Sequence, residues 1–214
     1  MNKMKKISAL LACVALMNMG SAFANSPAKI GPALEEKAVT FNVDYQKMQH
    51  PSLLNTRGEI IAVEGNKVII KGEGHFKMLA AIVGEDTYIV NGKNGKEKKA
   101  SALKKGREVT VYYTAKATRS LPPQTAAVAI VIGEADEKIG NYFVVDQVIP
   151  YEDGTSVKVL NSNNDLIATV DAEACEEFNK IKAGDNLLVW YNMMTMSLPG
   201  QTHATKAVIL PAKA

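Results

Sequence analysis

The sequence predicts an all-β fold with short helices, a tandem duplication of two small five-stranded barrels. Three observations carry that prediction. The segment Ser120-Leu121-Pro122-Pro123-Gln124-Thr125 returns as Ser197-Leu198-Pro199-Gly200-Gln201-Thr202, 77 residues later. Upstream, Gly106-Arg107-Glu108-Val109-Thr110-Val111-Tyr112-Tyr113 aligns with Gly184-Asp185-Asn186-Leu187-Leu188-Val189-Trp190-Tyr191 at a spacing of 78. Downstream, residues 128–132 align with 205–209 as a second apolar run. A shared order of glycine, apolar run, Ser-Leu-Pro turn and apolar run marks an internal repeat. Val111 and Val189 are expected at equivalent core positions. Tyr112 and Trp190 are expected on the opposite face of the same strands.

Residues 1–24 read as a secretory signal. Lys3, Lys5 and Lys6 precede an apolar stretch, and Ala22-Phe23-Ala24 has small residues where a signal peptidase cuts, so cleavage is expected before Asn25. Leu10-Leu11-Ala12-Cys13 has the look of a lipoprotein box, but its apolar run is short and the Ala22-Phe23-Ala24 site is better placed. The protein is therefore expected to be exported: periplasmic, cell-surface or secreted. Residues 25–57 form an N-terminal arm with prolines at 27, 32 and 51. Within it, residues 38–45 alternate and predict an extra strand.

The first module spans residues 58–135. Two β-rich runs flank Gly65-Asn66 and predict a hairpin. Residues 78–83 and 87–90 follow as strands, 100–106 as a short helical turn stopped by Gly106, then 107–114 and 126–132 as strands. The second module spans 136–214 in the same order. Its strands are 142–149, 156–160, 166–170, 186–192 and 204–210, with 171–182 helical in pattern before Gly184. Strand, strand, strand, short helix, strand, strand is the order of an OB-fold, a small Greek-key barrel. On that order and on the Ser-Leu-Pro-x-Gln-Thr loop, residues 58–212 resemble exported, duplicated OB-like modules of Firmicutes. That resemblance implies the fold and the export, and no particular activity.

Charge narrows the function classes. The chain has 25 Lys and Arg against 22 Asp and Glu. The three signal lysines supply the excess, so the remainder is neutral and has no global field to gather nucleic acid or anionic lipid. The modules divide the charge: residues 58–135 carry twelve basic and eight acidic residues, and 140–214 carry five and nine. Opposite signs would favour head-to-tail docking of one module on another, or reflect surface drift after duplication. Past the signal no apolar run reaches the ~18 residues of a spanning helix. Cys175 is then the only cysteine, and its acidic neighbours disfavour a thiolate, so it reads as a buried, inert thiol.

Three groups of residues have binding chemistry. Ser120, Leu121, Pro122 and Gln124, with Ser197, Leu198, Pro199 and Gln201, form paired loops between the last two strands of each module. They are either stiff structural turns or partner- and ligand-binding loops. Met193, Met194 and Met196 with His203 have the soft donors of a Cu(I) site, or fill a barrel rim. Their counterparts in the first module include Lys116, Ala117 and Arg119, so a metal would bind the second module only. Lys93, Lys96, Lys98, Lys99, Lys104, Lys105 and Arg107 form a basic stretch without interleaved aromatics, either a solvated loop or a contact for an anionic partner. No hydrolase, zincin or phosphate-loop motif is present. The expected function is a non-enzymatic, exported binding or interaction protein, with a protein or envelope polymer as partner. One alternative is a self-assembling structural protein using head-to-tail module contacts and the arm strand. Another is a Cu(I)-binding periplasmic protein.

Overall fold

In the computed structural model, the described residues are 40–133 and 140–211. They belong to one compact unit. The signal segment, its cleavage site and Cys13 lie outside them.

The first barrel is built from β1 (Leu53–Glu64), β2 (Lys67–Gly74), β3 (Met78–Ile82), β5 (Glu108–Thr114) and β6 (Gln124–Ile132). Its strands run in the order β3-β2-β1-β5-β6, and a parallel β3–β6 pairing closes the ring. A further short strand, β4 (Tyr88–Asn91), lies parallel to β6 outside that ring. The second barrel is closed by β7 (Asn141–Pro150), β8 (Ser156–Asn161), β9 (Leu166–Asp171), β10 (Asn186–Met194) and β11 (Gly200–Ile209). It repeats the arrangement, with β9 parallel to β11. The protein is mostly β: two closed five-stranded barrels with OB-fold-like topology.

Period-2 patterning explains the interiors. Ile60, Val68, Ile70, Leu79, Val109, Val111, Tyr113 and Ile130 fill the first core. Phe143, Val145, Val157, Val159, Leu187 and Val189 fill the second. Val111 and Val189 therefore occupy equivalent core positions, as the repeat requires. Gly65, at φ +62°, makes the β1–β2 turn that the Gly-Asn pair predicts. Where β1 and β2 cross, Gly58 faces Gly72, and a Cβ on either would stand 1.9–2.2 Å from the other strand's carbonyl oxygen.

The opposite strand faces meet in a third apolar cluster. Tyr88, Val90, Tyr112, Ala129 and Val131 of the first module pack with Tyr142, Leu188, Trp190 and Leu210 of the second. A polar chain runs along this seam. The Tyr142 hydroxyl donates to Asn186 Oδ1 at 2.5 Å, Asn186 Nδ2 donates to the Tyr88 hydroxyl at 3.3 Å, and Tyr88 donates to the Pro211 carbonyl at 2.8 Å. Burial pushes the Tyr112 phenol up to about 12, although a backbone hydrogen bond from Tyr142 opposes it. Burial also raises Tyr142. Both phenols stay neutral at ordinary pH, as an apolar seam demands.

The structure corrects several expectations. Residues 40–44 form no strand, and Tyr45–Gln49 is instead a one-turn helix, α1. The Asp44 side chain caps it by accepting the Gln46 N–H, and this local bond competes with sheet pairing. Side-chain amides of the second module then hold the arm as a strand backbone would. Gln147 accepts from the Asn42 N–H and donates to the Asn42 carbonyl, at 3.1 and 2.7 Å. Asn163 makes the same reciprocal pair with Leu53, at 3.2 and 3.0 Å. Lys47 pairs with Asp146 at 2.9 Å. The first strand begins at Leu53, inside the expected arm, because Leu53 to Arg57 pair with β5.

Residues 171–182 are not a continuous helix; only Phe178–Lys180 forms a 3₁₀ turn. The Asp171 carboxylate accepts the N–H groups of Glu173 and Ala174, a turn that diverts the chain from helix. Ala174 and Ile181 thereby reach the second core. In the first module the helical turn shrinks likewise to the 3₁₀ turn Ala100–Ala102.

Candidate functional site

Each barrel closes with a hairpin whose connection is the repeated loop. In the first, Gln124 opens β6 and donates its N–H to the Thr118 hydroxyl at 2.9 Å. Thr118 and Ser120 hydroxyls stand 2.7 Å apart, and Ser120 donates to the Pro122 carbonyl at 2.9 Å. The protons can point only one way along this chain, from Gln124 through Thr118 and Ser120 to Pro122. Thr125 ties the loop's base to the Lys116 carbonyl at 2.7 Å. Leu121-Pro122 is a cis peptide.

The second loop repeats every bond. Gln201 donates to Thr195 at 2.8 Å, Thr195 and Ser197 are 2.6 Å apart, and Ser197 donates to the Pro199 carbonyl at 2.7 Å. Thr202 donates to the Met193 carbonyl at 2.5 Å. Leu198-Pro199 is cis as well. In both loops the residue after the cis proline is anchored to a neighbouring segment: the Pro123 carbonyl accepts from the Ala80 N–H of β3, and the Gly200 N–H donates to the carbonyl of Asp165 just ahead of β9.

These bonds assign roles to the predicted residues. Ser120, Ser197, Pro122 and Pro199 build the loop. Gln124 and Gln201 act through their backbone N–H groups, at the first residue of β6 and the second of β11. Leu121 and Leu198 make no such bond, and their side chains project into solvent, 96% and 73% exposed. Sequence reasoning missed Thr118 and Thr195, the hydroxyls on which each network turns. The repeat spacing of 77 residues relates them too, so the signal was present.

Flanking chemistry separates the two loops. Exposed Lys116 and Arg119 border the first. The equivalent positions of the second are Met193 and Met196, both strongly exposed, and Met194 beside them is exposed in part. Met193 and His203 both fall within the irregularity between the Tyr191–Ala204 and Met194–Thr202 pairings of the β10–β11 ladder. His203 Nε2 is bound to Asp171 Oδ2 at 2.8 Å, which leaves Nδ1 open. The Asp171 carboxyl is held below the usual range, first by the Ala174 N–H and then, against some desolvation, by His203. The Met and His donors thus lie on an open surface with no enclosing wall. Among the described residues, no three His, Cys, Asp or Glu side chains gather as a metal site.

The basic stretch forms the exposed connection between β4 and β5. Asn91 and Asn94 side chains hold its turns, and the Lys93 carbonyl accepts from Lys206 of the other module. A cleft of about 150 Å³ opens beside the seam, lined by Asn55, Tyr112, Asn141, Tyr142 and Asn163 among others. Asn163 is already committed to the arm. Among the described residues no helix is long and apolar enough to cross a membrane.

Comparison with known proteins adds one relative. No protein-family model matches the chain. A protein named "Protease inhibitor" from Brevibacillus choshinensis is 35% identical over 99 residues, which is 40% of this chain and 29% of that protein. The chain therefore spans less than a third of that relative's length. Among solved structures, a single-stranded DNA binding protein from Thermus aquaticus matches at 16% identity and TM-score 0.24, over 76% of this chain and 95% of its own. A structure titled "Structural mimicry for functional antagonism" matches at 11% and 0.25, over 76% and 93%. At these scores neither bears on partner or chemistry.

Proposed function

We propose that this is an exported, non-enzymatic protein-binding protein whose contact elements are the two Ser-Leu-Pro loops, and whose partners are proteases. One observation carries the reading: a leucine tip stands in solvent on each loop while a hydroxyl chain fixes the backbone beneath it. An exposed leucine on a mobile loop would lose rotamer and backbone freedom on binding. A pre-bonded loop has already met much of that cost, so apolar burial at the tip converts to affinity. The 35% identity to a protein named as a protease inhibitor supports the choice of partner class. The signal-like N-terminus supports work outside the cytoplasm, where secreted proteases act.

A panel of serine, cysteine, aspartic and metalloproteases, assayed with and without the protein, tests this. At least one class should be bound or inhibited, with the effect lost when Leu121 and Leu198 are both changed to Ala. A panel with no response, or a double variant equal to the parent, would contradict it.

A further inference from the structure

The duplication has a consequence for stoichiometry and for the kind of pocket that is met. We infer that the chain is double-headed: Leu121 and Leu198 each enter the apolar primary pocket of a separate chymotrypsin-like serine protease, so that one chain holds two enzyme molecules. This rests on the protein-binding reading above.

Four observations support it. Each loop is complete within its own module: every hydrogen bond that shapes residues 116–125 comes from the first barrel, and every one that shapes 193–202 from the second. Neither head needs the other to be formed. The seam joining the modules uses Tyr112, Ala129 and Val131 with Leu188 and Trp190, positions on the strands and not on the loops, and leaves both leucines exposed. Both tips therefore remain open after the modules have docked.

The tip chemistry selects the pocket. Leucine is apolar, uncharged and long enough to fill a deep slot, which suits the hydrophobic primary site of chymotrypsin-type enzymes and not the acid-based one of trypsin. The bond that follows each tip joins leucine to proline. Its nitrogen carries no hydrogen and is locked in the pyrrolidine ring. The rigid ring on the leaving side hinders the rearrangement that cleavage of that bond needs, so a loop seated through its leucine resists cutting.

The heads are unequal. Lys116 and Arg119 give the first a positive rim, so its affinity falls with salt where the enzyme's rim is acidic. Met193 and Met196 give the second an apolar, adaptable rim, which is insensitive to salt.

Light scattering of the full chain mixed with excess chymotrypsin, together with titration of residual activity, tests the inference. The parent should bind two enzymes. Leu121→Asp and Leu198→Asp should each leave one, weakening the altered site at least about 30-fold, and the double variant should bind none. Circular dichroism checks that these surface variants stay folded. A parent complex of one to one, abolished by a single substitution, would overturn the double head and leave the protein-binding reading standing. Full binding by the double variant would overturn the loops as contact elements. No binding by the parent would overturn the choice of a chymotrypsin-like partner.

Discussion

Tyr112 and Trp190 occupy equivalent positions in the two repeats and are buried in the same seam, 8% and 7% exposed. Each module thus presents the same strand face to the other. That is the self-complementary kind of contact, closed within one chain, and not the head-to-tail kind that propagates. The opposite charges of the modules are not what joins them; the seam is apolar and aromatic. Residues 40–44 form no strand and are tied to the second barrel through Asn42 and Asp44, so the expected exchange strand is not formed, while the charge split stays on the module surfaces and takes no part in the seam.

Removing Trp190 should therefore uncouple the modules. Trp190→Ala is expected to cost about 3–5 kcal/mol in chemical denaturation, through lost burial and the cavity left behind. The barrel cores are separate clusters, so the unfolding curve should also broaden or split. A single transition at unchanged midpoint would contradict the seam's role.

The repeat made the barrels legible in the sequence. Val111 and Val189, the Gly65 turn and the outward placing of Tyr112 and Trp190 all follow from period-2 patterning read twice. The arm was not legible, because Gln147 and Asn163 bond to backbone groups 105 and 110 residues away. Such amide-to-backbone pairs leave no local pattern, whereas the alternation of residues 38–45 does and misleads. What covers Tyr112 was likewise hidden, since an outward aromatic reads alike whether it faces solvent or a second barrel. Thr118 and Thr195 were legible but passed over, as they lie just outside the most similar stretch.

Those two threonines should govern loop rigidity. Thr118→Val or Thr195→Val keeps the shape and removes the hydroxyl that links Gln124 or Gln201 to the serine. Each should lower stability by about 1 kcal/mol in denaturant titration and weaken partner binding at its own loop only. Equal loss at both loops from one substitution would count against independent loops.

Acid should release the arm. Burial tends to raise the Asp146 carboxyl, but hydrogen bonds from Lys47, Asn164 and Gln147 outweigh it and hold the group below the usual range. A depressed carboxyl stabilises the fold above its unfolded pKa, about 3.9, and that contribution is lost as pH falls through the folded value. Proteolysis of the 40–52 segment should thus accelerate only below about pH 4, and in Lys47→Met it should already be faster at neutral pH, with a shallower pH dependence. A cleavage rate independent of pH across that window would contradict the pairing.

Cys175 should be slow to alkylate. The thiol is only partly buried, and not fully as the sequence suggests. That burial raises it first, a backbone hydrogen bond from Glu177 lowers it, and the Glu177 and Glu176 charges raise it further. At pH 7 it should react with iodoacetamide well below the rate of a free cysteine, recovering on denaturation. Reaction at the free-thiol rate in the folded protein would show that the shielding is not real.

The most direct measurement is amide hydrogen exchange of the protein alone and bound to a protease. Slowed exchange confined to residues 116–124 and 193–201 is the predicted footprint. Protection at the seam cleft or the basic connection, with both loops unchanged, would contradict the placing of the binding site on the Ser-Leu-Pro loops.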